Sequence, residues 1–419
     1  MLDGARRRGL VFVVTLLVTG ALATGSIAAA SGVRRQGDAK SLASDIDATI
    51  KDSIDENHLA AVIVRVTENG KNLFTRAYGE SMNGVPATTD MHFRNGAVSI
   101  SYVANLLLQL VDQKEIRLDD KLQKYLPDLP NCERVTVGQL ATMTSGYADF
   151  VQNPDFISEH YADVFGKWTP QDLIDAADPG TLLYEPGTGW SYAHTNYVIL
   201  GLVIEKVTGQ KMSSLLDKRV LGPLGLDDTT DPGTPEIQEP ALHAGSSERR
   251  EFLELPDTTP FFEDSTYWDP SWSITRGAIE TSNIFDLDKT AIAVGTGKLL
   301  SPASHKAMVS KERLGLGEND APGCPTCHKL DDFYNYGIGV VLTGDWLMQN
   351  PAMSGYVATE AYLPSKKLAI SVAVTYAPEA YEAEPGSGSG AAANQADVLF
   401  RAIGKVVAPD DAPPTKTPS

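Results

Sequence analysis

Ile46, Ile50 and Ile54 recur at helical spacing and predict a helix over 41–56 with one face turned to a core. Two β-rich runs follow, over 61–68 and 72–79. Between them stands Asn69-Gly70, a pair suited to the left-handed backbone of a two-residue hairpin turn. Ile100, Val103, Leu107 and Leu110 make the next apolar stripe. It opens a mostly helical stretch from about residue 96 to 235, with further helices over 196–207 and 212–220. Residues 234–269, rich in Pro, Thr and acidic side chains, predict a long ordered loop. Strand patterns return over 336–342, 357–363 and 368–376 and are expected to join the first hairpin in one antiparallel sheet. A flexible loop over 385–390 precedes a final helix over 394–407, and 408–419 reads as a disordered Pro/Lys/Thr tail.

The N-terminus changes the picture. Arg6, Arg7 and Arg8 precede an uncharged stretch over 9–33, apolar first and then rich in Ala, Gly and Ser, with Ala28-Ala29-Ala30 as a cleavage signal. This pattern predicts export, with 1–30 as a signal peptide or, uncleaved, as a membrane anchor. Residues 31–40 read as a spacer and 41–407 as one large two-lobed unit on the outer side of the cytoplasmic membrane. No cysteine lies in the leader, which argues against a lipid anchor. A net charge of −19 argues against binding nucleic acid or anionic lipid.

A series of short motifs then falls in a familiar order. Leu118-Asp119-Asp120, Lys124-Tyr125-Leu126-Pro127, Thr144-Ser145-Gly146, Pro186-Gly187 before Tyr192, Leu200-Gly201, Val207-Thr208-Gly209, Pro223-Leu224-Gly225-Leu226, Tyr336-Gly337-Ile338-Gly339 and Gly355-Tyr356 span roughly residues 45–380. In this the chain resembles the serine β-lactamases and penicillin-binding proteins, a group that includes D-alanyl-D-alanine carboxypeptidases and esterases. The resemblance implies an α/β (α+β) β-lactamase/transpeptidase-like fold, with an antiparallel sheet flanked by helices and a mostly helical lobe.

It also implies three catalytic motifs, and each is altered here. Where relatives carry Ser-x-x-Lys, this chain reads Ala97-Val98-Ser99-Ile100. Residues three apart share a helix face, so a serine and a lysine at that spacing can touch and the hydroxyl can attack a carbonyl. Ala97 and Ile100 offer neither nucleophile nor base. Ser99 is rotated away by about 200°. Ser101 returns toward the face of Ala97 but has no lysine three residues on, and no other Ser-x-x-Lys occurs in the chain. Removing the nucleophile alone costs on the order of 10⁶ in turnover in a serine hydrolase. As plain helix residues, Ala97 and Ile100 fit the apolar stripe.

The second motif, Tyr-x-Asn in relatives, is Tyr192-Ala193-His194 here. Tyr192 and His194 read either as an acid-base pair or as a polar pair lining a vacant pocket. The third, Lys-x-Gly or His-x-Gly, falls on Gln349-Asn350-Pro351. No cation remains there, and the proline resists a ladder position. The usual histidine before Thr-Ser-Gly is Met143.

Other signals are secondary. Gly189-Trp190-Ser191-Tyr192-Ala193 approaches the nucleophile elbow of α/β-hydrolases but ends in alanine, without a strand before it. Cys324-Pro325-Thr326-Cys327-His328 matches a c-type haem attachment form, yet one copy in a Gly/Pro/Asp-rich loop reads better as a short disulfide, leaving Cys132 over. No second Cys/His pair completes a zinc site, and no cofactor is expected. Two function classes stay open. One is an exported pseudoenzyme whose cleft, by motif position Ala97, Ile100, Tyr192, His194, Gln349 and Asn350, binds a peptidoglycan-derived peptide, another small ligand or a partner. The other is a hydrolase working through Tyr192, His194 and Ser101. The oligomeric state is not legible.

Overall fold

Asn69 and Gly70 both take positive φ, 53° and 71°, so Glu68 and Lys71 face one another and strands Leu59–Glu68 and Lys71–Met82 pair antiparallel across the expected turn. The computed structural model describes residues 36–256, 259–274, 280–319, 321, 323–324, 326–382 and 394–415. The proposed leader over 1–30, the start of the spacer, the loop over 385–390 and residues 416–419 lie outside them.

Among the described residues the hairpin lies near one end of a nine-stranded antiparallel sheet, with the short strand Val85–Pro86 outside it. From Lys71–Met82 the order continues through Leu59–Glu68, Leu368–Tyr376, Tyr356–Leu363, Trp346–Gln349 and Val341–Thr343 to Asn335–Tyr336. Every residue of Tyr356–Leu363 and Leu368–Tyr376 is buried, because helices cover both sheet faces. Registers align Gln349, Glu360, Ser371 and Arg65 in one row. That face meets helix Ile284–Thr296, where Asp288 pairs with Arg65 at 3.3 Å and accepts from Thr67 Oγ1 at 2.9 Å. Trp346 points the other way and meets Phe400 of helix Gln395–Val407, rings 5.2 Å apart. Helix Gln36–Asn57 packs beside it.

The second lobe is built around helix Val98–Asp112. Its apolar stripe extends nearly all the way round, and twelve of its fifteen residues are buried. Helix His194–Thr208 packs against it. The loop over 234–269 is ordered by buried Arg94, which donates to Pro235 O and Thr266 O, and it forms a small hairpin of Gly245–Ser246 with Glu263–Asp264.

Four expectations need correction. Residues 36–40 of the expected spacer already belong to helix Gln36–Asn57. The strand over 336–342 is broken into Asn335–Tyr336 and Val341–Thr343. Gly339 turns out of the ladder with φ +64° and lies so close to the central helix that a Cβ there would stand 2.4 Å from Ala104 Cβ. The helix over 212–220 ends as Met212–Leu216 and continues as a π-helical turn, Asp217–Leu221. The tail is docked through residue 415. Ala408 is fully buried, Asp411 O accepts from Trp346 Nε1 at 2.8 Å, and Pro414 O accepts from Arg401.

Candidate active-site cleft

The segment leading into the central helix is fixed by pairing. Phe93–Arg94 pairs with Thr281–Ser282, and the fully buried Asn95 donates its N–H to Glu280 O at 3.3 Å. Gly96 then turns the chain with φ +45°, and Ala97 becomes the N-cap of Val98–Asp112 with no side chain to cap it. Ala97 is partly buried and Ile100 is wholly buried in the core. Both nearby hydroxyls are tied to the same turn. Ser99 Oγ donates to Gly96 O and Ser101 Oγ to Val98 O, each at 2.7 Å, and both residues are fully buried. Ser101 therefore does not present its hydroxyl to the cleft, although one helical turn relates it to Ala97. Its hydrogen bond draws it back onto the backbone.

The positions Gln349-Asn350-Pro351 come to this same place. Gln349 ends strand Trp346–Gln349, is 2% exposed and donates Nε2 to Gly339 O at 2.7 Å. A side chain on Gly339 would also begin 3.0 Å from Ile100 O, so Gln349, Gly339 and Ile100 form one packed corner. Pro351 lies against Gly96, and its carbonyl accepts from Ala358 N at 3.1 Å. Asn350 O accepts from Asn394 Nδ2 at 2.8 Å. The proline thus does leave the regular ladder, but the strand before it is intact, a strand the sequence reading missed.

Tyr192 and His194 are brought together at the start of helix His194–Thr208, ring centroids 5.1 Å apart and edge to face. His194 Nδ1 lies 3.0 Å from Asp149 Oδ2, and the His194 N–H donates to Asp149 Oδ1 at 3.1 Å. Asp149 is 6% exposed and caps the 3₁₀ turn Phe150–Gln152. The carboxylate only accepts, so the proton between the two groups stands on Nδ1 of His194 and the ring is held in one orientation. Phe150 and Trp272 complete the surroundings, with ring centroids 5.9 and 6.4 Å from the imidazole. Burial, then the neighbouring Tyr334 and Asp149, push the Tyr192 phenol well above its ordinary value, so it stays a protonated donor. Asp149 and Trp272 were not singled out in the sequence. They lie 45 and 78 positions from His194, and no local spacing points to them.

The disulfide Cys324–Cys327 is present, and Cys132 is a buried free thiol. The disulfide loop buttresses the chain just before Tyr192. Ser191 Oγ bonds Thr326 Oγ1 at 2.8 Å, and His328 N donates to Trp190 O at 3.2 Å. The elbow-like Ser191 is therefore engaged with this loop. Among the described residues no cluster of three or more His, Cys, Asp or Glu could hold a metal ion. No helix among them is long and apolar enough to cross a membrane.

A family model described as Beta-lactamase matches residues 46–393. The chain belongs to the Beta-lactamase family. It is 27% identical to Esterase EstB of Burkholderia gladioli over 315 residues, 68% of this chain and 79% of that one. It is 38% identical to Penicillin-binding protein 4 of Amycolatopsis lactamdurans over 150 residues, 34% of this chain and 37% of that one. Among solved structures, a D-stereospecific amidohydrolase from Streptomyces sp. superposes with a TM-score of 0.67 at 23% identity, covering 82% of this chain and 98% of its own. D-amino acid amidase from Ochrobactrum anthropi SV3, complexed with L-phenylalanine amide, superposes at 0.69 with 20% identity, covering 88% and 99%. These likenesses establish the β-lactamase/transpeptidase fold, mixed α and β with an antiparallel sheet.

Proposed function

We propose that this Beta-lactamase family member is an exported pseudoenzyme whose cleft, around Ala97, Ile100, Tyr192, His194, Gln349 and Asn350, binds a ligand in the cell envelope without forming an acyl-enzyme. One observation carries the reading. At the helix tip where relatives place their nucleophile, the first hydroxyls along the helix, Ser99 and Ser101, are fully buried and spent on Gly96 O and Val98 O. A covalent intermediate needs an exposed nucleophile with a base in reach. Export is supported by the leader-like first thirty residues and by the disulfide Cys324–Cys327, which suits an oxidising compartment.

A second reading has its own support. A carboxylate-held imidazole beside a phenol is the arrangement of a general base, so Asp149, His194 and Tyr192 could activate water on an ester. Turnover of a chromogenic ester separates the two. The binding reading expects rates equal to buffer. Hydrolysis abolished by Tyr192→Phe would overturn it in favour of the second.

A further inference from the structure

We infer that the helical lobe carries a ligand site apart from the cleft, which takes a small organic cation with two ammonium groups. It is a cavity of about 300 Å³ whose lining includes Ser213, Ser214, Asp217, Thr230, Asp231 and Glu280, none of them a residue of the cleft. Strand pairing brings two of the acidic groups together. Arg94 and Thr230 each face Thr281 in antiparallel register, and Asn95 N donates to Glu280 O at 3.3 Å, so Asn95, Glu280 and Asp231 stand side by side in one row. Helix Met212–Leu216 and the π-helical turn after it bring Ser213, Ser214 and Asp217 to the same cavity.

Glu280 is the residue that points to a ligand. It is 1% exposed, and its Oε2 has no hydrogen-bond partner among the described residues. Buried polar atoms nearly always have a partner, so this one calls for a donor from outside the chain. Burial first, then Asp231 and Asp217, push the Glu280 carboxyl well above its ordinary value, and a cation beside it would offset each of these causes. Ser213, Asp217 and Thr230 are exposed and form the mouth, whereas Glu280 lies at the inner end. Asp231 Oδ1 accepts from Gly233 N at 2.8 Å, which fixes its place in the row. Among the described residues no three acidic groups converge closely enough to hold a metal ion, so these carboxyl groups suit separate donors better than one point charge. Two ammonium groups on a short chain meet that arrangement, one at Glu280 and one at Asp217, with the serine hydroxyls accepting from the remaining N–H groups.

Calorimetric titration of the full chain with 1,4-diaminobutane, n-butylamine and magnesium chloride, at one fixed ionic strength, tests this. The expected result is saturable binding of one equivalent of the diamine, about tenfold tighter than the monoamine or magnesium. Glu280→Gln keeps the shape and removes the charge, and it should weaken the diamine about tenfold or more. Glu159→Gln makes the same charge change in the acidic cavity beside Phe156 and Trp168 and should leave the affinity as it was, which separates a built site from the general attraction of a chain of net charge −19. Asp217→Asn alters an exposed position and should weaken the diamine about threefold, so it decides the matter where Glu280→Gln does not fold. Equal weakening by Glu280→Gln and Glu159→Gln, an unaltered affinity in Asp217→Asn, or no saturable heat from the diamine overturns the site. Magnesium or the monoamine bound as tightly as the diamine overturns the assignment of a cation with two ammonium groups.

Discussion

Pro351 occupies the space that a side chain on Gly96 would need: a Cβ there would lie 2.8 Å from Pro351 Cβ. Gly96 also holds φ +45°, a conformation that costs other residues free energy. Gly96→Ala should therefore lower stability by about 2 to 4 kcal/mol in urea unfolding. Pro351→Gly in the same chain should recover part of the loss, because it removes the collision and not the backbone strain. Full additivity of the two changes would show that they do not meet.

Reinstating Ser-x-x-Lys should not reinstate chemistry. Ile100 is fully buried beside Gly339, so Ile100→Lys places an ammonium in a space shaped for hydrocarbon. The double variant Ala97→Ser, Ile100→Lys is expected to lose about 3 to 5 kcal/mol by thermal unfolding and to remain unlabelled by a fluorescent penicillin. Ala97→Ser alone should be nearly neutral.

His160 adds an acid-sensitive element behind the cleft. It is 3% exposed, stacks on Phe156 with Trp272 tilted against it, has no partner at Nδ1 among the described residues, and burial lowers its pKa to about 4. The folded state then binds fewer protons than the unfolded chain between pH 4 and 6.5, so this group favours folding less as pH falls through that window. Relative to the parent, His160→Phe should gain up to about 3 kcal/mol on going from pH 7 to pH 4. Glu248, pushed up to about 7 by burial, works in the opposite direction, so the difference between variant and parent is the quantity to follow. A difference independent of pH would exclude His160 as the cause.

The docked tail also makes a claim that can be measured. Ending the chain after residue 408 leaves Trp346 Nε1 without its acceptor and uncovers Gly404, against which Pro413 packs. Arg401 retains Asp397 and Thr343 but loses Pro414 O. A loss of about 2 to 4 kcal/mol in denaturant unfolding is expected. Unchanged stability would mean that the tail is idle.

What was legible in the sequence follows the range of the forces. The Asn69-Gly70 hairpin is local and stands as read, and helix Gln395–Val407 with its Asn394 cap shows a strong amphipathic period. The tail has the composition of a disordered segment, yet two hydrogen-bond donors from elsewhere hold it. The strand over 336–342 carries Tyr336, Ile338 and Val340 to Leu342 and still breaks at Gly337 to Gly339, because the central helix comes too close to Gly339 for a side chain there. In the cleft, Tyr192 and His194 were visible as a motif, whereas Asp149, which orients the His194 ring, is joined to it only through the fold. The commitment of Ser101 to Val98 O is likewise a matter of rotamer and burial.

Intact-mass spectrometry of the purified protein after prolonged incubation with benzylpenicillin addresses the missing nucleophile most directly. The expected spectrum is that of the untreated chain, with no adduct after denaturation. A stoichiometric mass increase of one penicillin that survives denaturation would contradict a cleft without an acylating residue, and peptide mapping would name the residue that carries it.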